Sequence, residues 1–135
     1  MSYATKEQID SLSATHEIPL KKDVIYDKSI EYISRNFGSG KHVLDMQDKP
    51  NGKIVGNIST PVNHGFHTAT SKLVIFVKDG KYKIFLENIQ QYGNGTPHDV
   101  IMLLERDFET VKEFFFKLDK EHFDFLNGKN SKSDF

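Results

Sequence analysis

The chain has no cysteine and no tryptophan. A disulfide scaffold, a thiolate zinc site and a cysteine nucleophile are therefore excluded. The same lack does not choose a compartment, because a cytosolic protein and a disulfide-free exported one share it. Arginine is nearly absent as well, with only Arg35 and Arg106. Bidentate recognition of phosphates and bases rests mostly on arginine. A formal net charge of −1 adds no field that would recruit polyanions. Nucleic acid is therefore not an expected partner. No apolar run approaches the ~20 residues that cross a bilayer, so no transmembrane segment is expected. The stretch Met1 to Asp10 has no basic region followed by an apolar one, as a signal peptide would.

The composition that is present fits one domain. At 135 residues, the chain can bury a core without metals or disulfides. The strongest local signal is Lys72 to Ile89. Two apolar runs flank Asp79-Gly80, and Asp-Gly favours a two-residue type I′ hairpin because both turn residues tolerate positive φ. That turn sets Lys78 opposite Lys81, Val77 opposite Tyr82, Ile75 opposite Ile84 and Leu73 opposite Leu86. One face then carries Leu73, Ile75, Val77, Tyr82, Ile84 and Leu86. The other carries Val74, Phe76, Lys83 and Phe85.

The lead, residues 1–14, is polar and weakly patterned and is expected to be flexible, a tail or a short irregular lead-in. Thr15 to Leu20 reads as a strand, with Pro19 marking its end. Asp23 is a candidate N-cap for a helix over Val24 to Phe37, whose stripe is Tyr26, Ile30, Ile33 and Phe37. Gly38 suits the position after that helix. Val43 to Gln47 and Lys53 to Ser59 read as strands around the turn Lys49-Pro50-Asn51-Gly52. Pro61 to His67 and Tyr92 to Asp99 read as loops. Val100 to Leu104 is a short apolar run that reads as a further strand or as the lead into the last helix. Asp107 is a candidate N-cap for a helix over Phe108 to Leu126, closed by Asn127-Gly128. Residues 129–135 are expected to be a frayed tail, leaving 15–128 as the domain. The fold class is α+β: one antiparallel sheet of about five strands with two helices packed on one face, in the order β-α-β-β-β-β-α.

Several of these segments recur together elsewhere. Tyr26-Asp27-Lys28, Glu31-Tyr32-Ile33, Asn36-Phe37, Gln47-Asp48-Lys49, Gly52-Lys53-Ile54-Val55-Gly56 and Val77-Lys78-Asp79-Gly80-Lys81-Tyr82 occur in this order. The chain thereby resembles bacterial domain-of-unknown-function family 4468, over roughly Glu17 to Tyr92. The resemblance implies a TATA-binding-protein-like (TBP-like) fold, a curved antiparallel sheet with two helices on one side. It also implies a bacterial protein that is exported, periplasmic or lipid-anchored if a signal segment was removed, and cytoplasmic otherwise. It brings no catalytic residue, metal or cofactor. A TBP-like sheet hosts many functions, so the fold alone does not argue for DNA binding.

Candidate sites compete with plainer readings. Val74, Phe76 and Phe85 with Lys83 would point away from the helices, and an apolar patch with a polar margin marks a partner surface unless a tail, loop or second copy covers it. Phe116 and Phe123 widen the apolar arc of the last helix. They read as extra core, as a partner groove, or as the lid of an apolar pocket between helix and sheet. Asp48, Pro50, Asn51 and Gly52 are what a tight turn demands, and Gly56 within a strand marks a bulge or close packing. His64, His67 and His98 could hold a metal only if their loops met, and loop histidines are usually solvated. His122 falls in the helical stripe, as a hydrogen-bonded packing residue. Gly38-Ser39-Gly40-Lys41 lacks the full phosphate-loop pattern. Glu105, Asp107 and Glu109 suit the positive end of a helix macrodipole.

The expected function is a non-enzymatic binding or interaction module that uses the sheet face, through Val74, Phe76, Lys83 and Phe85. Its partner would be a protein or a small apolar ligand, with homodimerisation through the sheet face as one form. One alternative is a small-molecule or lipid carrier with a pocket at Phe116 and Phe123. A second is a metal-dependent hydrolase. No cofactor is implied.

Overall fold

The Asp79-Gly80 hairpin forms in the expected register, but of the two turn residues only Gly80 has positive φ, so the turn is not the type I′ expected from the sequence. The computed structural model describes residues 2–37, 43–95 and 99–129. Strand β4 (His67–Lys78) and strand β5 (Lys81–Gly93) pair antiparallel, with Val77 opposite Tyr82, Ile75 opposite Ile84 and Leu73 opposite Leu86. The other strands add to this pair: β1 (Ser13–Glu17) on β5, and β3 (Lys53–Val62) then β2 (Leu44–Asp48) on β4. The sheet order is β1-β5-β4-β3-β2, and a two-residue strand β6 (Ile101–Met102) pairs the far end of β5. The strand read at Thr15 to Leu20 lies earlier, over Ser13–Glu17. The loop read at Pro61 to His67 is tighter than expected, because β3 continues to Val62 and a single 3-10 turn, Asn63–Gly65, returns the chain.

Helices α2 (Lys22–Phe37) and α3 (Phe108–Leu126) cover one face of the sheet. On α3 the buried residues Val111, Phe115, Leu118, His122 and Leu126 form one stripe. Each fully buried apolar side chain of this stripe contributes about 1.5–3 kcal/mol. The stripe meets Ile54, Ile58, Leu73, Ile75, Tyr82 and Ile84 from the strands, and Ile25 and Ile33 from α2. The lead differs from the tail expected at 1–14. It holds a short helix α1 (Lys6–Asp10), closed at its start by a reciprocal Thr5–Gln8 capping box. Ala4 and Leu12 belong to the core. Gly38, Lys41 and residues 130–135 lie outside the described residues, as does His98.

The free edge of β3 is blunted by sequence. Asn57 N donates to Val43 O at 2.7 Å, so by alternation Ser59 and Pro61 also face that edge, beyond the end of β2. Pro61 has no N–H to offer there, which interrupts a template for further strand pairing.

Neither expected N-cap side chain bonds its helix: a distant contact serves α2, and the carboxylate at the cap position of α3 turns away. Helix α2 starts at Lys22, so Asp23 lies in its first turn. The Lys22 N–H is one of the helix's unpaired donors, and it donates to Asp79 Oδ1 at 2.8 Å. The hairpin turn therefore caps α2 from 57 residues away. Asp79→Ala is expected to cost about 1 kcal/mol, the usual value of a lost cap, while Asp79→Asn keeps an acceptor and most of the stability. Urea midpoints compare the two, and equal midpoints would show that the acceptor contributes nothing.

At α3, Asp107 occupies the cap position without a side-chain bond to the helix. Its carboxylate turns inward instead. It accepts from Gln91 Nε2 at 3.0 Å and from Arg106 Nε at 3.3 Å. Gln91 is fully buried, and its Oε1 accepts from Leu104 N at 2.9 Å. A buried amide left without partners is costly, so this network fixes the entry to α3 against β5.

Candidate functional site

On the face of the sheet away from α2 and α3, the register builds three adjacent rows. Lys53, Phe76 and Lys83 align with Thr15. Val55, Val74 and Phe85 align with Ser13. Asn57, Lys72 and Glu87 form the third row. Phe76 and Phe85 stack at 6.0 Å between centroids, with their planes 27° apart. Lys53 Nζ lies 5.4 Å from the Phe76 ring centroid and Lys83 Nζ 5.4 Å from that of Phe85. An ammonium over an aromatic face is attracted by the ring quadrupole, so the two lysines hold this pair from its margins. Phe76 is 40% exposed, whereas Val74 is 1% exposed between Val55 and Phe85. Phe76, Phe85 and Lys83 therefore present the surface and Val74 supports it.

The patch continues towards the hairpin turn as a cleft of about 830 Å³. Its walls include Phe76, Lys22, Lys78, Lys81 and Lys83. The Asp79 carboxylate in the same wall is engaged by the Lys22 N–H. Glu17, opposite Lys81, and Asp48, opposite Lys53, bound the basic area. Sequence reasoning found Phe76, Lys83 and Phe85 from the hairpin alone. It missed Lys53, because the pairing of β3 with β4 is not set by a two-residue turn of known geometry.

Phe116 and Phe123 lie on the helical side and form a group separate from the sheet-face residues. Phe116 is 39% exposed and packs edge-on to Phe115. Phe123 is half-buried, 4.8 Å from the His16 ring. The space between α3 and the sheet is occupied there by the buried side chains of Phe115, Leu118 and His122. His64 is exposed in the turn after β3, and His67 Nδ1 meets Gln91 Nε2 at 3.1 Å. Among the described residues no group of His, Asp and Glu is arranged to hold a metal. Nor is any described helix long and apolar enough to cross a membrane.

A second constellation lies inside the molecule. His122 is fully buried, and its Nε2 is 2.8 Å from Ser29 Oγ, which joins α3 to α2. Tyr32 and Tyr82 pack against its ring. His16 on β1 bonds through Nε2 to Asp119 Oδ1 at 2.8 Å, which joins the edge strand to α3. The carboxylate thus serves His16, and His122 Nδ1 is buried without a partner among the described residues. Burial, and then the nearby His16 charge, lower the His122 pKa to about 3. Burial, with Asp119 nearby, raises that of Tyr82. As arranged, these side chains tie helices and edge strand together. The sequence shows His122 as a packing residue in the stripe, but its partner Ser29 is 93 residues away and has no local signature.

Comparison with known proteins agrees with this architecture. A TBP-like protein from Parabacteroides distasonis matches at a TM-score of 0.71 and 15% identity, over 85% of this chain and 90% of that one. A DUF4468 family protein from Bacteroides ovatus matches at a TM-score of 0.59 and 15% identity, over 87% of this chain and 83% of that one. At these identities the likeness shows the fold alone. No curated protein matches the chain. The family model described as a domain of unknown function (DUF4468) with TBP-like fold matches residues 17–93. That span exceeds half of the chain, which therefore belongs to this family.

Proposed function

We propose that the domain is an interaction module whose helix-free sheet face docks an acidic protein segment carrying apolar side chains. The observation that supports this most is the stacked Phe76–Phe85 pair flanked by Lys53 and Lys83. Exposed aromatics supply desolvation energy and the lysines supply charge selection, the division of labour expected at a docking surface. The lysine-walled cleft beside Phe76 extends the charge preference to the flanks of such a segment. A symmetric homodimer through the same patch is disfavoured, because it would bring the lysines of both copies together.

The test uses two short synthetic peptides, one alternating glutamate with leucine and one alternating lysine with leucine. In nitrogen-15 NMR titrations the acidic peptide is expected to shift amides of Lys53 to Val55, Val74 to Val77 and Lys83 to Phe85. The shifts should weaken with salt. Phe76→Asp should abolish them, since it removes the ring and repels the segment. Equal binding of the basic peptide, or shifts confined to other surfaces, would overturn the reading.

A further inference from the structure

We infer that the free edge of β1 binds an extended peptide segment of another protein as an added antiparallel strand, seated beside one margin of α3. The site lies two strands from Phe76 and stands whether or not the docking face binds. β1 is the outermost strand on its side of the sheet. Leu86 N donates to Leu12 O at 3.0 Å, and Ile18 N donates to Gly80 O at 2.9 Å. By alternation Leu12, Ala14, His16 and Ile18 direct their backbone groups at β5, and Ser13, Thr15 and Glu17 direct theirs outwards. Among the described residues no other element bonds those outward groups. The opposite rim is guarded, because β2 is interrupted by a register shift between Leu44 and Met46 and the overhang of β3 carries Pro61. β1 has neither device: Ser13–Glu17 pairs β5 without a break and contains no proline or lysine. It is also held in place. Leu12 and Ile18 at its ends are buried, and His16 Nε2 is 2.8 Å from Asp119 Oδ1. An edge already ordered loses little freedom when a strand is added.

The side chains along that edge fit one kind of occupant. Asp119 and Phe123 both reach His16, so their margin of α3 borders β1. Lys112 and Phe116 share that margin by helical spacing, and the Phe116 ring is exposed. On an added strand, alternate side chains fall on the α3 side, beside Ala14 and His16. Apolar residues there cover Phe116. The intervening side chains fall on the other face, beside Ser13 and Thr15. These two are small, and they leave their row neighbours Phe85 and Lys83 within reach. Lys83 and Lys112 make no ion pair among the described residues. A carboxylate beside Thr15 therefore suits the edge. The occupant is an extended segment with apolar residues at every second position and a carboxylate between them. In strand addition the backbone bonds supply affinity and the alternate side chains supply selectivity.

The probe is a synthetic peptide, Leu-Ser-Leu-Glu-Leu-Ser-Leu flanked by glutamates, in nitrogen-15 NMR titrations of the full chain. It is expected to shift amides of Leu12 to Ile18 and of Lys112 to Phe123. Shifts at Lys53 to Val55 and Val74 to Val77 report the docking face separately. In an antiparallel addition the serine and central glutamate N–H groups point at β1, and the leucine N–H groups point away. N-methylation of the first set should abolish binding, and N-methylation of the leucines should leave it. Both peptides act on the natural chain, so this comparison does not depend on a variant's folding. Thr15→Pro should weaken binding about tenfold, from one lost hydrogen bond and a ring on the pairing line. Its melting temperature should stay close to that of the natural chain, because the lost N–H has no partner within the sheet. Phe116→Asp should weaken binding by a similar factor. Equal effects of the two methylation patterns overturn the inference. So does equal binding of a peptide with lysine for the central glutamate, or an edge that pairs only with a second copy, seen as a concentration-dependent dimer that the peptide does not disperse.

Discussion

Acidification from pH 7 to pH 5 is expected to remove about 2 kcal/mol of stability through His122 alone, at about 1.4 kcal/mol per pH unit. In the fold its imidazole is held neutral, with a pKa of about 3 against an ordinary 6.5. Below 6.5 the unfolded chain takes up a proton that the folded chain refuses. Stability from this residue is therefore complete above about 6.5 and falls as pH drops towards about 3. The groups packed around the ring do not offset the charge. Ser29 offers a hydroxyl, Tyr32 and Tyr82 offer ring faces, and the Asp119 carboxylate is bonded to His16. Acidification acts on more than this one residue, so the comparison needs a matched reference. The double variant Ser29→Ala/His122→Leu removes both polar partners together, which leaves neither stranded. Urea unfolding across this range should give a steeper pH dependence for the natural chain than for the double variant. Parallel curves would falsify the account of a buried neutral imidazole.

What was legible in the sequence follows the distance over which each feature is determined. The hairpin register was readable because Asp79-Gly80 sets it within four residues, and the bounds of α3 because its stripe and Asn127-Gly128 are local. The capping box of α1 was also local, Thr5 and Gln8 in the expected spacing. It was overlooked because five residues carry no periodic stripe, and because Leu12 becomes core only when β5 arrives beside it. The two N-caps failed for a different reason. Asp23 and Asp107 have the right chemistry, but Asp79 reaches α2 first and Gln91 draws the Asp107 carboxylate inward. Phe76, Lys83 and Phe85 of the docking face were visible as one face of the hairpin. The place of Lys53 beside Phe76 and the bulge at Asn88 depend on strand pairings that no short motif encodes.

Gly52→Ala is expected to be among the most damaging single substitutions, costing about 2–5 kcal/mol from left-handed strain and overpacking together. Gly52 has φ +67°, and a Cβ there would lie 2.3 Å from Val77 O and 3.1 Å from Lys22 Cε. The obstacle is backbone, and it cannot rotate away. Val77 N donates to Gly52 O at 2.7 Å, so the β2–β3 turn is bonded to the end of β4 that carries Phe76. Gly80 supplies the control. Its φ is also positive, +78°, but its nearest neighbour would be Ile18 O at 3.9 Å. Gly80→Ala should therefore cost only the strain, about 1–2 kcal/mol. The gap between the two variants in urea midpoint isolates the close approach of turn to strand. Equal costs would mean that the turn can move off β4 freely. A gap, together with shifted amides at Val74 to Val77 in Gly52→Ala, would mean that this glycine sets the position of the strand that bears the docking face.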